Sequence, residues 1–265
     1  RRPSSASAVV GISSSSSSSS ASSSAWSSWI TSTCAELQER RLLRQLRTVE
    51  PLPRTALWVA ASSSRADARD AGQYWPKAGT RLLVFAANDY LGLSAHPDVC
   101  AAAAAAAADH GCGPRSSALV CGYTGRHAAL ESALARLKGS EDALLFPTGF
   151  AANLAVLGAM ASSPSCAIFS DALNHASIVD GARLAAKGAG AQLHIYRHSD
   201  LDHLESLLRS SSAPRKLIVS DSVFSMDGDT ADCAGLVALK RRHGALLCLD
   251  EAHGTMVFGA HGGGV

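Results

Sequence analysis

The chain has 265 residues, 47% of them hydrophobic, which is enough for one large domain with a sizeable core and a tail. A formal net charge of +2 gives no electrostatic reason to expect nucleic acid as a partner, and no apolar run reaches the ~18 residues of a membrane span. Seven cysteines, an odd number with no Cys-x-x-Cys pair, read as free thiols of a reducing compartment and exclude a disulfide frame or zinc site.

Residues 1–25 are dominated by serine, unbroken from Ser13 to Ser20, and no acid precedes Glu36. This start fits an organelle transit peptide or a disordered linker equally, so cytosol and organelle both stay open. Apolar positions from Trp26 to Leu46 predict a helix over 26–47, ended by Pro51 and Pro53, and 54–80 read as a polar connection. From residue 81 onward short apolar runs alternate with helical patterns. Strands are predicted at 82–85, 143–146, 166–169, 192–196, 217–219 and 245–249. Helices are predicted at 97–109, over an octa-alanine run, and at 126–138, 150–160, 176–187, 201–208 and 234–242. Gly139 falls where a helix C-terminal glycine belongs. The alternation predicts an α/β fold, a mostly parallel sheet flanked by helices. Ligands of such sheets bind beyond the carboxyl ends of the strands, which directs attention to the residues after each apolar run.

The last strand runs into Asp250-Glu251-Ala252-His253. A helicase magnesium site would need an upstream Gly-x-x-x-x-Gly-Lys-Ser/Thr loop, which this sequence lacks. A strand-end carboxylate can also hold the proton on a pyridine nitrogen, as pyridoxal 5'-phosphate (PLP) requires, with His253 near the ring's phenolic oxygen. Taken alone, the segment reads as a strand ending in a solvated acidic turn. Thr148-Gly149-Phe150 leads from a strand into a helix, whose free amides make an anion site; an ordinary helix capped by Thr148 fits as well. His175 follows strand 166–169, where an imidazole can stack on an aromatic cofactor, although a lone histidine is more often structural. Ser225 offers a hydroxyl after strand 217–219. Asp227, Asp229 and Asp232 do not make a calcium loop, because Gly228 is misplaced and no glutamate closes it. His194 and His198, four apart on a strand-like run, do not converge on a metal, and no metal is expected. The glycine-dense stretches Asn88–Leu93, 111–117 and 121–125 allow close backbone approach to a ligand.

Together and in this order, Asn88-Asp89-Tyr90-Leu91-Gly92-Leu93, Asn174-His175-Ala176-Ser177, Phe224-Ser225-Met226-Asp227-Gly228-Asp229 and Asp250-Glu251-Ala252-His253-Gly254-Thr255 resemble the α-oxoamine synthase family of fold-type-I PLP enzymes, over residues 26–265. The resemblance implies a PLP-dependent acyltransferase that condenses an amino acid with an acyl-CoA. Thr148-Gly149-Phe150 and His253-Gly254-Thr255 favour the biotin-pathway branch, which joins L-alanine to pimeloyl-CoA with decarboxylation. Cys121-Gly122-Tyr123-Thr124 and Tyr196-Arg197-His198 are similar to its plant form. The alternatives are a sister synthase using glycine or serine, and a non-catalytic subunit of the same fold that binds a partner.

By the resemblance, Asp250 binds the pyridinium nitrogen and His175 stacks on the ring. His253 and Ser225 hydrogen-bond near the phenolic oxygen, and the backbone of Gly149 and Phe150 holds the phosphate. Arg47 and Asn88 contact substrate. Members are homodimers. The Schiff-base lysine is expected beyond Val265, since Lys77, Lys138, Lys187, Lys216 and Lys240 do not sit in its motif. Residues 81–265 are therefore expected to be a large domain incomplete at its C-terminal end, and the chain as given is expected to be inactive.

Overall fold

The computed structural model describes residues 20–43, 49–52, 57–60 and 79–265. The chain divides into two compact units, 1–84 and 85–265. In the first, helix α1 (Ser20–Glu39) precedes three short strands, β1 (Val49–Pro51), β2 (Leu57–Ala60) and β3 (Arg81–Leu83). The strands form an antiparallel sheet in the order β1-β2-β3. This corrects three expectations. The helix starts earlier and ends at Glu39, because Arg41 takes a positive φ of 55° and the amides of Leu42 and Leu43 both turn back to the Leu37 carbonyl. The stretch expected to be a polar connection contains β2, whose Leu57-Trp58-Val59 suits a strand. The strand expected at 82–85 exists as β3, but pairs with β2 outside the parallel sheet.

The second unit holds α2 (Pro97–His110), α3 (Gly125–Lys138), α4 (Gly149–Met160), β4 (Cys166–Asp171), α5 (Ala176–Ala189), β5 (Gln192–Tyr196), α6 (Leu201–Ser210), β6 (Arg215–Asp221), α7 (Cys233–His243) and β7 (Leu246–Asp250). The four strands form one parallel sheet in the order β5-β4-β6-β7. Local chemistry marks the helix ends. Thr148, Asp200 and Asp232 accept from backbone amides at the starts of α4, α6 and α7, and Gly139, Gly190 and Gly244 close α3, α5 and α7 in the left-handed conformation.

Strand β4 is buried along its whole length, and its side chains alternate between two cores. Cys166 and Ile168 pack with Leu157, Ile178, Ala182 and Val219 under α4 and α5. Ala167 and Phe169 pack with Tyr196, Leu204, Leu208, Ile218 and Leu236 under α6 and α7. Helices α4 and α5 approach so closely that a Cβ on Gly181 would lie 3.2 Å from the Asn153 carbonyl oxygen.

One further strand expectation fails. Residues 143–146 form no strand, because a strand exists only through a neighbour's ladder and this segment has none among the described residues. Leu144 is left 74% exposed, and the Leu145 amide donates to Glu131 Oε1 instead. No described helix is long and apolar enough to cross a membrane.

Substitution Phe169→Ala, at a fully buried ring, should lower unfolding stability by about 3–5 kcal/mol in urea titration. Leu119→Ala, at a side chain 99% exposed, should stay within about 0.5 kcal/mol of the unsubstituted chain.

Candidate functional site

Three of the four parallel strands end in aspartate: Asp171 on β4, Asp221 on β6 and Asp250 on β7. Asp221 and Asp250 are register partners across the β6–β7 ladder. Each carboxylate meets donors from the segments that follow the strands. Asp171 accepts from the amides of Leu173 (2.8 Å) and Ser199 (2.9 Å) and faces His198 Nδ1 at 3.0 Å. Asp221 Oδ2 accepts from the His175 amide at 3.0 Å. Asp250 accepts from Asn153 Nδ2 at 2.7 Å and from the Ala252 amide at 2.8 Å.

Asn153 links this rim to the predicted stacking histidine. Its amide nitrogen also donates to Ser177 Oγ at 2.9 Å, and that hydroxyl lies 2.7 Å from His175 Nδ1. His175 caps α5, its Nδ1 accepting from the Ser177 amide, and the Phe150 ring stands edge-on to it with centroids 6.3 Å apart. A hydrogen-bonded chain therefore runs Asp250–Asn153–Ser177–His175.

Crowding of acids has an electrostatic consequence. Burial pushes the Asp221 carboxyl up from 3.8 to about 7; the charge of Asp250 adds to this, the His175 amide opposes it, and Asp171 contributes a smaller push upward.

Beyond the rim lies a cavity of about 530 Å³, lined by Asn88, Tyr90, His175, Phe224, Ser225 and His253 among others. Four predicted residues, Asn88, His175, Ser225 and His253, thus share one cavity. Asp250, Gly149 and Phe150 are not in its lining. Asp250 reaches it through Asn153 and Ser177, and Phe150 through the His175 ring. Gly149 and Phe150 occupy the first turn of α4, where helical amides have no intrahelical partner and the helix dipole favours an anion. Arg47 lies outside the described residues.

Four residues at the site carried no role in the sequence reading: Asn153, Ser177, Asp221 and Tyr90. Asn153 and Ser177 sit within segments already singled out, Asn153 one turn into α4 and Ser177 in the first turn of α5. Tyr90 meets His253 Nδ1 through its hydroxyl, across a sequence separation that no local pattern reveals.

The model of the class I and II aminotransferase family matches residues 80–263, and the chain belongs to that family. An 8-amino-7-oxononanoate synthase from Arabidopsis thaliana is 52% identical over 198 residues, covering 70% of this chain and 42% of the relative. A second, from a Polaromonas strain, is 46% identical over 230 residues, covering 87% of this chain and 51% of the relative. Among solved structures, a serine palmitoyltransferase with PLP superposes with a TM-score of 0.66 at 34% identity, covering 71% of this chain and 46% of that one. The resemblance to α-oxoamine synthases, and to the plant form among them, agrees with these relatives. The chain spans about half the length of the curated relatives it matches.

Because the folded Asp221 carboxyl binds its proton more tightly than the unfolded one, its contribution to stability is full below about pH 4 and is lost as pH rises through about 7. Asp221→Asn should therefore lose less stability than the unsubstituted chain between about pH 4 and about pH 8, as read from urea midpoints.

Proposed function

We propose that this chain is the cofactor-holding part of a PLP-dependent acyltransferase that condenses L-alanine with pimeloyl-CoA, with decarboxylation, to 8-amino-7-oxononanoate in biotin biosynthesis. The observation that carries the reading is the convergence of Asn88, His175, Ser225 and His253 on one cavity, with Asp250 tied to its wall through Asn153 and Ser177. The likeness to the Arabidopsis and Polaromonas synthases supports the choice of reaction.

The residues present fit the cofactor. Each Asp250 oxygen accepts one protein hydrogen bond, and a carboxylate oxygen has two acceptor positions, so the group retains capacity for a pyridinium N–H. Asn153 holds the carboxylate at a fixed angle. His175 is held by its bond to Ser177 and by the edge of Phe150, which leaves its ring as a flat platform on the cavity wall. Ser225 and His253 offer hydrogen bonds to a phenolic oxygen, and the first amides of α4, at Gly149 and Phe150, suit a phosphate. In this reading Asn88, in the cavity lining, contacts substrate, and Arg47 is expected to do the same. When bound, PLP supplies an electron sink for the carbanion that attacks the thioester. The protein's share is to bind and orient the ring, to keep its nitrogen protonated through Asp250, and to place hydrogen-bonding groups at its oxygen. The complete enzyme works as a homodimer in this reading, and the cytosol and an organelle both remain compatible with it.

No described lysine lines the cavity. Lys138 pairs with Glu251 and the Gly263 carbonyl, Lys216 donates to the Leu208 carbonyl, and Lys187 and Lys240 lie on α5 and α7. Lys77 lies outside the described residues, and in this reading the 265 residues by themselves bind PLP without a covalent link and do not turn over. A sister synthase taking serine is the second reading, favoured by the likeness to serine palmitoyltransferase; amino-acid preference in a protein that carries the lysine separates the two.

Titration of the chain with PLP, followed by fluorescence quenching, should show saturable binding that borohydride does not make permanent. Asp250→Asn, which removes a charge-assisted hydrogen bond, should weaken binding about tenfold or more. Absence of saturable binding in the unsubstituted chain would overturn the cofactor reading. CoA release from alanine and pimeloyl-CoA by these 265 residues would overturn the expected inactivity.

A further inference from the structure

His198 meets Asp171 at the rim and has no role in the PLP reading, yet it joins two carboxylates. It follows β5, its Nδ1 lies 3.0 Å from Asp171 Oδ1 and its Nε2 lies 2.9 Å from Asp229 Oδ2. The Phe224 ring stands edge-on to it with centroids 4.4 Å apart. The two carboxylates differ in exposure and anchoring. The Asp171 side chain is 1% exposed and fixed by the amides of Leu173 and Ser199, whereas the Asp229 side chain is 43% exposed and belongs to a surface turn.

That turn closes on itself. The Phe224 amide donates to the Asp229 carbonyl, the Gly228 amide to the Phe224 carbonyl, and Val223 bridges Thr230. It brings Val223, Phe224, Ser225 and Gly228 to the cavity wall. Its tip has no packing of its own, since Met226 is 91% exposed. Two side chains tie it inward: Phe224, buried in the core, and Asp229, held by His198.

We propose that His198 is a positioning residue: as a cation bridging Asp171 and Asp229, it holds the turn that presents Ser225 to the cavity, and it loosens that turn on losing its proton. The link to cofactor affinity rests on the PLP reading; the clamp itself does not.

Carboxylate oxygens only accept, so two such contacts need both ring nitrogens to carry hydrogen, which is the imidazolium form. A neutral ring keeps one donor and must release one partner. The titratable groups around the ring are Asp171 from the end of β4 and Asp229 from the turn. Behind Asp171 lie Tyr196, which ends β5, and Asp221 on β6, both of which feel its charge. Neighbouring Arg197 is engaged by Asp200 at 2.7 Å. Burial disfavours the cation, but the hydrogen bonds and charges of Asp171 and Asp229 outweigh it and hold the His198 pKa above the ordinary histidine value of 6.5. The clamp is therefore complete below about pH 6.5 and is lost as pH rises through the raised value.

Hydrogen exchange of the 265-residue chain, read by mass spectrometry, reports the 222–230 amides directly. In Asp229→Asn and His198→Gln these should exchange about tenfold faster at about pH 6, while amides of β4 and β6 keep their protection and show that the fold is retained. The unsubstituted chain, corrected for intrinsic exchange, should approach the same rate as pH rises through the His198 titration; both variants should lack that dependence. The His198 ring resonance should titrate above the ordinary value in the unsubstituted chain and move down in Asp229→Asn. Unchanged exchange at 222–230 in both variants, or an ordinary His198 titration in the unsubstituted chain, would overturn the clamp. PLP titration is a separate arm, in which the two variants should bind more weakly. If the unsubstituted chain binds no PLP, the cofactor reading falls, and the exchange and resonance results still decide the clamp.

Discussion

Parallel pairing of β4 with β5 and β6, and of β6 with β7, sends every strand's carboxyl end to one rim, and three aspartates arrive there together. Carboxylates gathered there, Asp171 and Asp221 buried and Asp250 partly so, are unfavourable unless donors surround them. The segments leaving the strands, together with Asn153 of α4, supply those donors: the His175 amide for Asp221, Asn153 and the Ala252 amide for Asp250, and the Leu173 and Ser199 amides with His198 for Asp171. These bonds fix how each segment departs. The same contacts that satisfy the rim therefore aim His175, Ser225 and His253 at one space.

Helix packing makes this possible. Asn153 reaches Asp250 and Ser177 at once because α4 lies against α5 over the sheet, and that closeness depends on Gly181, where a side chain would press on Leu157 and the Asn153 carbonyl. The core under these helices and the polar network above it are two ends of one arrangement. Its incomplete compensation shows at Asp221, where a single backbone amide does not offset burial beside Asp250, and the carboxyl stays hard to ionise. Strain of this kind persists only where the surrounding structure holds it, and it gathers at functional sites.

Much of the second unit was legible in the sequence because its signals are local. Strand β5 falls on the predicted residues, and α3 and α5 follow their capping residues and apolar periodicity. What failed is whatever depends on a distant partner. Residues 82–85 have strand chemistry but nothing in them specifies β2 as neighbour. Residues 143–146 are equally apolar and form no strand for lack of a ladder. Of the site, His175, His253 and Asp250 stood out through motifs, whereas Asn153 and Tyr90 gain their roles only from contacts far along the chain. His198 showed no role of its own in the sequence, since neither Asp171 nor Asp229 is near it along the chain.

The segment after β7 shows how adjacent acids take opposite work. Asp250 turns toward Asn153 and the rim. Glu251 turns away and is neutralised: Lys138 at the end of α3 lies 2.5 Å from its Oε2, the Val265 amide donates to its Oε1, and Thr255 donates to it as well. Lys138 also donates to the Gly263 carbonyl, and Gly264, at a φ of +109°, passes so near Glu251 that no side chain fits there. A partly exposed ion pair of this kind adds little stability by itself. Its value is geometric. With Glu251 pinned on one side and Asp250 on the other, the short stretch between β7 and His253 has little freedom, and the imidazole is delivered to Tyr90 at the cavity wall.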